Sequence, residues 1–325
     1  MLAVLPPRPG QPSVPVLGEW PDPEPGPGEV LLRVAAAGLN RADLLQLRGQ
    51  YPAPPGESPV PGLECAGVVE RVGEGASGFE VGDRVMALLA GGGLAERVAA
   101  PAGQVMPLPA NLSFIEGAGL PEVALTAWTN LVVEGGLEAR QTVLITGAAS
   151  GVGTFAVQLA RELGARVLAA GRDAGRLERL QELGAEACFP LAEDLPRRVR
   201  EANSGRGADL VLDLVGGAWL AGNLAALERR GRLVLVGLMA GARAELNLGD
   251  LLSRRLTLVG SVLRSRSRQE KARLVADFAE YGLARLADGR LRPVIDRVYP
   301  FERVAEAFAA LEAGGLFGKV VVEMR

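Results

Sequence analysis

Between residues 142 and 262 the apolar positions come in short unbroken runs, and the stretches between them repeat apolar residues at helical spacing. Val143, Leu144 and Ile145 make the first run; residues 166–170, 209–215, 231–237 and 256–262 make the others. Residues 154–163 and 176–183 carry the helical periodicity. Unbroken apolar strands alternating with helices over short connections predict βαβ units and a parallel sheet covered on both faces.

Outside that block the pattern changes. Residues 1–5, 29–36, 67–72, 84–89 and 94–99 read as strands, punctuated by the Gly-rich turns Gly73-Glu-Gly and Gly91-Gly-Gly. A Pro-rich stretch, 21–27, separates the first two, because it cannot lie inside a sheet. Ser113 followed by Glu116 is a capping box that opens a helix, and 121–133 is a further amphipathic helical run. After the alternating block come a long helix over 268–286, a strand over 294–299, a helix over 301–313 and a last strand over 319–323. These final elements are expected to return to the β-rich N-terminal unit.

Composition adds limits to this picture. A chain of 325 residues is long for one core, which favours two domains, and 48% apolar residues with 43 Gly and 22 Pro suit an α/β protein with many tight connections. A net charge of −3 argues against a nucleic-acid surface. Residues 143–160 carry no charge, yet the Gly/Ser turn in their middle and the charged helix beyond favour strand, turn and helix over a membrane span. The N-terminus lacks the basic region and long apolar stretch of a signal peptide. Cys65 and Cys188 cannot build a disulfide framework, which is compatible with a reducing cytoplasm. Histidine is absent, which excludes a Ser-His-Asp triad, a histidine general base and imidazole-ligated zinc. Of 35 basic residues only Lys271 and Lys319 are lysines, a bias ascribed to base composition or a hot habitat.

The candidate chemistry starts where the first apolar run meets Gly147-Ala-Ala-Ser-Gly-Val-Gly153. The order is strand, small-residue turn, helix. A helix N-terminus offers unpaired N–H groups and a partial positive charge, so a pyrophosphate fits against a turn that no side chain blocks. The alternative is a Gly-rich turn between two buried elements, since Ala-x-x-Gly-x-Gly alone is weak. Its context favours a dinucleotide: the ribose is read at the end of the second strand, here Ala169-Ala170-Gly171-Arg172. Where an Asp or Glu would accept from a free 2′-hydroxyl, Gly171 leaves room for a phosphate and Arg172 supplies a fork to it, with Arg176 one turn on. This predicts NADPH as the cofactor; the competing reading makes both arginines solvated surface charge.

Several stretches carry a resemblance over essentially the whole chain: Gly38-Leu-Asn-Arg-Ala-Asp43, Gly49-Gln-Tyr-Pro52, Pro61-Gly-Leu-Glu64, Ala87-Leu-Leu-Ala-Gly-Gly-Gly93, the phosphate turn, Gly237-Leu-Met and Leu263-Arg-Ser-Arg266. The chain resembles the zinc-independent quinone oxidoreductases of the medium-chain dehydrogenase/reductase superfamily, nearest the branch of the tumour-suppressor-inducible quinone oxidoreductase, with the zeta-crystallin type beside it. The resemblance implies an α/β protein with a GroES-like β-rich catalytic domain over 1–115, completed by a C-terminal return over 264–325. A Rossmann doubly wound parallel-sheet domain over 116–263 is implied between them, with a cleft that holds the nicotinamide. Zinc-dependent relatives place a Cys where this chain has Leu39 or Asn40 and a His-Glu pair at Leu63-Glu64; no metal is expected here.

By the same resemblance Asn40, Tyr51 and Ser150 are the candidate catalytic residues. Asn40 holds the acceptor or the ribose, or else caps the helix 42–47. Tyr51 offers a hydroxyl to the acceptor, or else anchors the loop Pro52 to Pro55. Ser150 serves pyrophosphate or acceptor, or stabilises its own turn. Cofactor contacts are expected from Thr126, Ala149, Ser150, Gly151, Val152, Gly153, Gly171, Arg172, Arg176, Gly237, Leu238, Ser261, Leu263 and Lys319. Thr126 reads otherwise as a threonine bonding its own backbone, and Lys319 as a solvated strand start. Asp213 at a strand end is as well explained structurally. Hydride transfer to a quinone is the leading expectation, with an enone or enoyl double bond, or non-catalytic NADPH binding, as alternatives. The family suggests a homodimer through the Rossmann edge strand near 256–263, without nucleic-acid or membrane partners.

Overall fold

The computed structural model describes residues 1–7 and 14–324. It divides into two compact units, one formed by Met1–Leu125 with Leu263–Arg325 and one by Thr126–Val262.

The first unit begins with β1 (Leu2–Val4) and β2 (Leu17–Glu19), an antiparallel pair, then β3 (Glu29–Leu39), α1 (Arg41–Leu47), β4 (Glu64–Val72), β5 (Arg84–Leu88), β6 (Arg97–Pro101) and β7 (Val105–Pro107). Two short helices follow, α2 (Phe114–Ala118) and α3 (Pro121–Trp128). Ser113 caps α2: its Oγ accepts from Glu116 N–H at 3.2 Å and its own N–H donates to the Glu116 carboxylate at 2.9 Å. Strand β3 is the spine. Val30, Leu32 and Val34 are buried along it, and it pairs antiparallel with both β4 and β6. Gly38 lies where β3 passes α2, and a Cβ there would come within 2.5 Å of the Ala118 carbonyl.

The second unit takes in the end of α3 and then runs through β8 (Thr142–Thr146), α4 (Gly151–Glu162), β9 (Arg166–Gly171), α5 (Ala174–Glu182), β10 (Ala187–Pro190), α6 (Leu195–Ala202), β11 (Ala208–Asp213), α7 (Leu220–Ala225), β12 (Leu227–Leu235), α8 (Leu248–Arg254) and β13 (Thr257–Gly260). The strands form one sheet in the order β10-β9-β8-β11-β12-β13, every neighbouring pair parallel. In sequence terms this is 3-2-1-4-5-6, the doubly wound dinucleotide-binding order. All five residues of β8 are buried, which is why its apolar run is unbroken.

The chain then re-enters the first unit as α9 (Arg268–Ala287), β14 (Ile295–Pro300), α10 (Val304–Ala313) and β15 (Lys319–Glu323). β15 pairs antiparallel with β3 and carries β14 on its other side, so the C-terminal return is knitted into the first unit's main sheet. The strand expected over 94–99 is displaced: Ala95 makes only an isolated bridge to Ala3, and the ladder with β3 starts at Arg97. The first helix turn of the second unit also comes earlier than its apolar spacing, because Gly151, Val152 and Gly153 are helical and not part of the turn. Short β10, with Cys188 and Phe189 half-buried, carries too little periodicity to predict, whereas α6 buries Leu195 and Val199 one turn apart among charged residues.

Candidate functional site

The geometry of the glycine turn follows from its residues. Gly147 adopts φ +72°, and Ser150 caps α4 by accepting from Gly153 N–H at 3.1 Å through Oγ. A Cβ on Gly153 would sit 2.5 Å from the Ala148 carbonyl, so only glycine lets the helix start this close to the strand. Ala149, Ser150 and Gly151 therefore present backbone at the open end of a twelve-residue helix. The turn-stabilising reading of Ser150 is realised. Its hydroxyl proton is not consumed by that cap, because a hydroxyl accepts and donates at once.

At the end of β9, Gly171 is buried and Arg172 exposed. A Cβ on Gly171 would meet only Leu177 at 3.3 Å, so packing alone does not demand glycine there. Asp173 caps α5 by accepting from Arg176 N–H at 3.0 Å, and the Arg176 guanidinium lies 3.7 Å from the same carboxylate. Arg176 is thus partly neutralised by Asp173.

The loops after β11 and β12 meet backbone to backbone. A Cβ on Gly237 would fall 2.3 Å from the Leu214 carbonyl, while Leu238 beside it is exposed. Ser261 is buried, its N–H donating to the Leu235 carbonyl at 3.0 Å. Asp213 is fully buried and holds this region: Oδ1 accepts from Thr146 Oγ1 at 3.1 Å and from Val215 and Gly216 N–H at 2.8 and 2.9 Å. Its Oδ2 is buried without a hydrogen-bond partner, as is Oδ1 of Asn223, both beside Thr146 at the end of β8. Thr126 is buried, and its carbonyl accepts from the Asn130 amide at 2.7 Å. A tight backbone turn at a helix N-terminus, an unblocked Gly171 and an exposed Arg172 fit a dinucleotide carrying a 2′-phosphate.

In the first unit the polar residues gather around Lys319. Its Nζ donates to Glu64 Oε1 at 2.6 Å, to Asn40 Oδ1 at 2.7 Å and to the Leu39 carbonyl at 2.6 Å. The residue is 4% exposed, so the solvated-strand-start reading is overturned: β15 runs beside β3, which places the side chain over the β3–α1 junction. All three ammonium protons have acceptors within the unit. Asn40 stands at the N-cap of α1, where its backbone N–H donates to Asp43 Oδ2 at 2.8 Å, but its amide is spent on Glu64, at 2.9 Å, and Lys319. Asp43 also accepts from Gly62 N–H at 3.0 Å; burial nevertheless pushes its carboxyl up to about 6.

Tyr51 follows α1 and is half-buried. The Arg264 guanidinium lies 5.1 Å from its ring centroid and donates to the Tyr51 carbonyl at 3.0 Å, to the Ala90 carbonyl at 2.8 Å and to Gln46 Oε1 at 2.6 Å. Burial, and secondarily the Glu122 carboxyl, raise the Tyr51 phenol above its ordinary range, so it stays a neutral donor. Two members of this group are not legible in the sequence. Arg264 lies inside the stretch Leu263-Arg-Ser-Arg266, which gives it no role, and Glu122 looks like an ordinary acidic residue in a first helical turn. Glu122 N–H donates to Glu64 Oε2 at 2.9 Å, while its own Oε2 is sealed from solvent without a partner. Burial, then the neighbouring Glu64 charge, push the Glu122 carboxyl up to about 8.

The donor set does not suit zinc. Histidine is absent, and burial pushes the Cys65 and Cys188 thiols up to about 12 and about 11. Among the described residues no three His, Cys, Asp or Glu side chains cluster as a metal site would need. No helix among them is long and apolar enough to cross a membrane.

Comparison with known proteins places this geometry in a family. Residues 26–110 match the alcohol dehydrogenase GroES-like domain, and 151–280 match the domain family described as zinc-binding dehydrogenase. A quinone oxidoreductase from Lama guanicoe is 34% identical over 93% of this chain and 91% of its own. The quinone oxidoreductase from Thermus thermophilus, solved alone and in complex with NADPH, is 38% identical with a TM-score of 0.84, covering 99% of this chain and 100% of that one. An enzyme described as an NAD-dependent alcohol dehydrogenase is 34% identical with a TM-score of 0.88, covering 99% of each chain. The chain belongs to the medium-chain dehydrogenase/reductase superfamily, among its zeta-crystallin-like quinone oxidoreductases.

Proposed function

We propose that the chain is an NADPH-dependent reductase that transfers a hydride to a quinone without a metal ion. The observation that carries this reading is the Lys319 ammonium bound among Glu64, Asn40 and Leu39, with the neutral Tyr51 phenol in the same unit. The centre of the polar cluster is filled by the chain's own cation. An acceptor served by such a cluster must need little Lewis-acid help. A quinone meets that condition, because hydride addition yields an aromatic monoanion that a few hydrogen bonds stabilise.

Arg172 beside Gly171 and the backbone of 149–153 are the residues assigned to NADPH. That cofactor, when bound, supplies the hydride from C4 of its nicotinamide. Tyr51 donates its hydroxyl proton to the acceptor oxygen as charge develops there, and water reprotonates the phenolate. Quinone, one hydride and one proton give the hydroquinone. Ser150 keeps its hydroxyl proton for the pyrophosphate.

NADPH consumption with 1,4-benzoquinone, 9,10-phenanthrenequinone and 2-cyclohexenone, measured side by side, tests the acceptor. The quinones are expected to be turned over and the enone to lag. Turnover of the enone alone would move the assignment to double-bond reduction. Tight NADPH binding with no turnover of any acceptor would leave a binding protein.

The same reading makes the molecule a homodimer through the second unit. Strand β13 is a sheet edge, and Leu248 and Leu252 on α8, with Leu258 on β13 and Val262 just after it, are exposed. An unpaired edge flanked by apolar side chains is satisfied by a second copy of the same edge.

A further inference from the structure

Arg264 is the side chain of the first unit to which the chemistry above gives no part. It stands in the turn 263–266, where the Arg266 N–H donates to the Leu263 carbonyl at 3.1 Å just before α9. Its guanidinium is buried and joins three stretches of chain: Gln46 on α1, Tyr51 in the loop after it and Ala90 beyond β5. Residues 48–63, between α1 and β4, contain no helix or strand, so Tyr51 depends on side chains to hold it. The Gln46 amide extends the hold, because Oε1 accepts from Arg264 while Nε2 donates to the Pro59 carbonyl at 2.8 Å. Arg268, the first residue of α9, clasps Glu57 in the same loop at 3.1 and 3.2 Å. All three acceptors of Arg264 are neutral oxygens, and its guanidinium carbon lies 5.1 Å from the Tyr51 ring centroid. Burying a cation on neutral partners is costly, a cost that packing alone does not call for.

We infer that Arg264 positions Tyr51 for proton transfer: the guanidinium fixes the tyrosine by its carbonyl and by its ring face, and its charge favours the phenolate left behind when the proton goes. The inference rests on the quinone reading and on Tyr51 as its proton donor. In that step the Tyr51 O–H bond breaks as the proton joins the acceptor oxygen, the acceptor takes the hydride from NADPH, and water returns a proton to the phenolate. The positive charge stays where it is while negative charge appears on Tyr51, so it lowers the cost of the step and neither gives nor takes a proton. Contacts to the carbonyl and the ring face leave the phenolic O–H unspent. Arg264 is a positioning residue and acts through Tyr51.

Arg264→Met removes the charge and the fork and keeps an unbranched apolar stem. Its kcat with 9,10-phenanthrenequinone at saturating NADPH is expected to fall about tenfold, with KM for NADPH unmoved. A merely structural arginine would show that loss in any background. Acting through Tyr51, the substitution should cost almost nothing further in Tyr51→Phe; losses that multiply would overturn the inference. Arg264→Lys, which keeps a charge and loses the planar fork, is the milder variant should Arg264→Met fail to fold, and its kcat loss must vanish in Tyr51→Phe likewise. A second measurement needs no acceptor. Ultraviolet titration of each protein minus its Tyr51→Phe counterpart isolates this phenol from Tyr281 and Tyr299. In Arg264→Met the Tyr51 phenol should ionise about one pH unit higher, with Glu122, the carboxyl that acts on it in the opposite sense, left in place. An unmoved phenol would overturn the inference as well. If no acceptor is turned over, the quinone reading falls, and the phenol titration alone decides whether Arg264 acts on Tyr51.

Discussion

At the scale of the residue, single side chains act through a charge that their surroundings fix. Arg172 is exposed at the end of β9, whereas Arg176 shares its guanidinium with Asp173 at 3.7 Å. Replacing Arg172 by Ala should therefore weaken NADPH by roughly 1.5–3 kcal/mol, the scale of a charged hydrogen bond, and leave NADH almost untouched; fluorescence titration of both cofactors checks it. Equal losses would make Arg172 plain surface charge. Removing the Tyr51 hydroxyl as Tyr51→Phe should lower kcat with quinones by about 100-fold, the lower end for proton donation, and an unchanged kcat and KM would remove the assigned role. Glu122 also makes a stability prediction. Its folded carboxyl ionises at about 8 against an ordinary value of 4.5, so the folded state holds the extra proton across that window. Stability from this group is present at low pH and is lost as pH rises from 4.5 towards 8. Thermal melts should show Glu122→Gln gaining on wild type as pH rises through that window.

At the scale of the element, the strands of the second unit are legible because parallel strands buried on both faces keep an unbroken apolar run, as in β8. The helix starts at Ser113 and Ser267 carry one signature, a Ser followed three residues later by Glu, and both form the reciprocal cap. Residues 94–99 mislead because Leu94 and Ala95 are buried by the bridge to β1 and not by the β3 ladder. The polar cluster is the least legible part. Lys319 reads as a lysine that reaches the cofactor or as a strand start beside Gly318, and only the pairing of β15 with β3 shows that its ammonium is the shared partner of Glu64 and Asn40. Long-range pairing of this sort leaves no trace in local spacing. The cluster is predicted to hold β15 in place: Lys319→Met should destabilise the chain by about 3–5 kcal/mol by leaving Glu64 buried without its cation. Adding Glu64→Gln to that variant should recover part of the loss in denaturant unfolding.

At the scale of the whole molecule, the alternation of strands and helices predicts a parallel sheet, and the sheet has the doubly wound order with β8 at its centre. The expected return of the final elements is realised, because β15 adds to β3 across nearly the full length of the chain. Assembly is a property of this scale. With Leu258 and Val262 exposed at the β13 edge and Leu252 on α8, light scattering should give twice the chain mass, and Leu252→Glu combined with Leu258→Glu should give monomers that still bind NADPH. A wild-type monomer would contradict the dimer. Above assembly stands the reaction itself. The most direct measurement is steady-state NADPH oxidation with 1,4-benzoquinone by enzyme treated with a strong chelator and then supplied, or not, with zinc. Turnover is expected to persist after chelation and not to rise with zinc; loss of turnover on chelation, restored by zinc, would contradict metal-free hydride transfer.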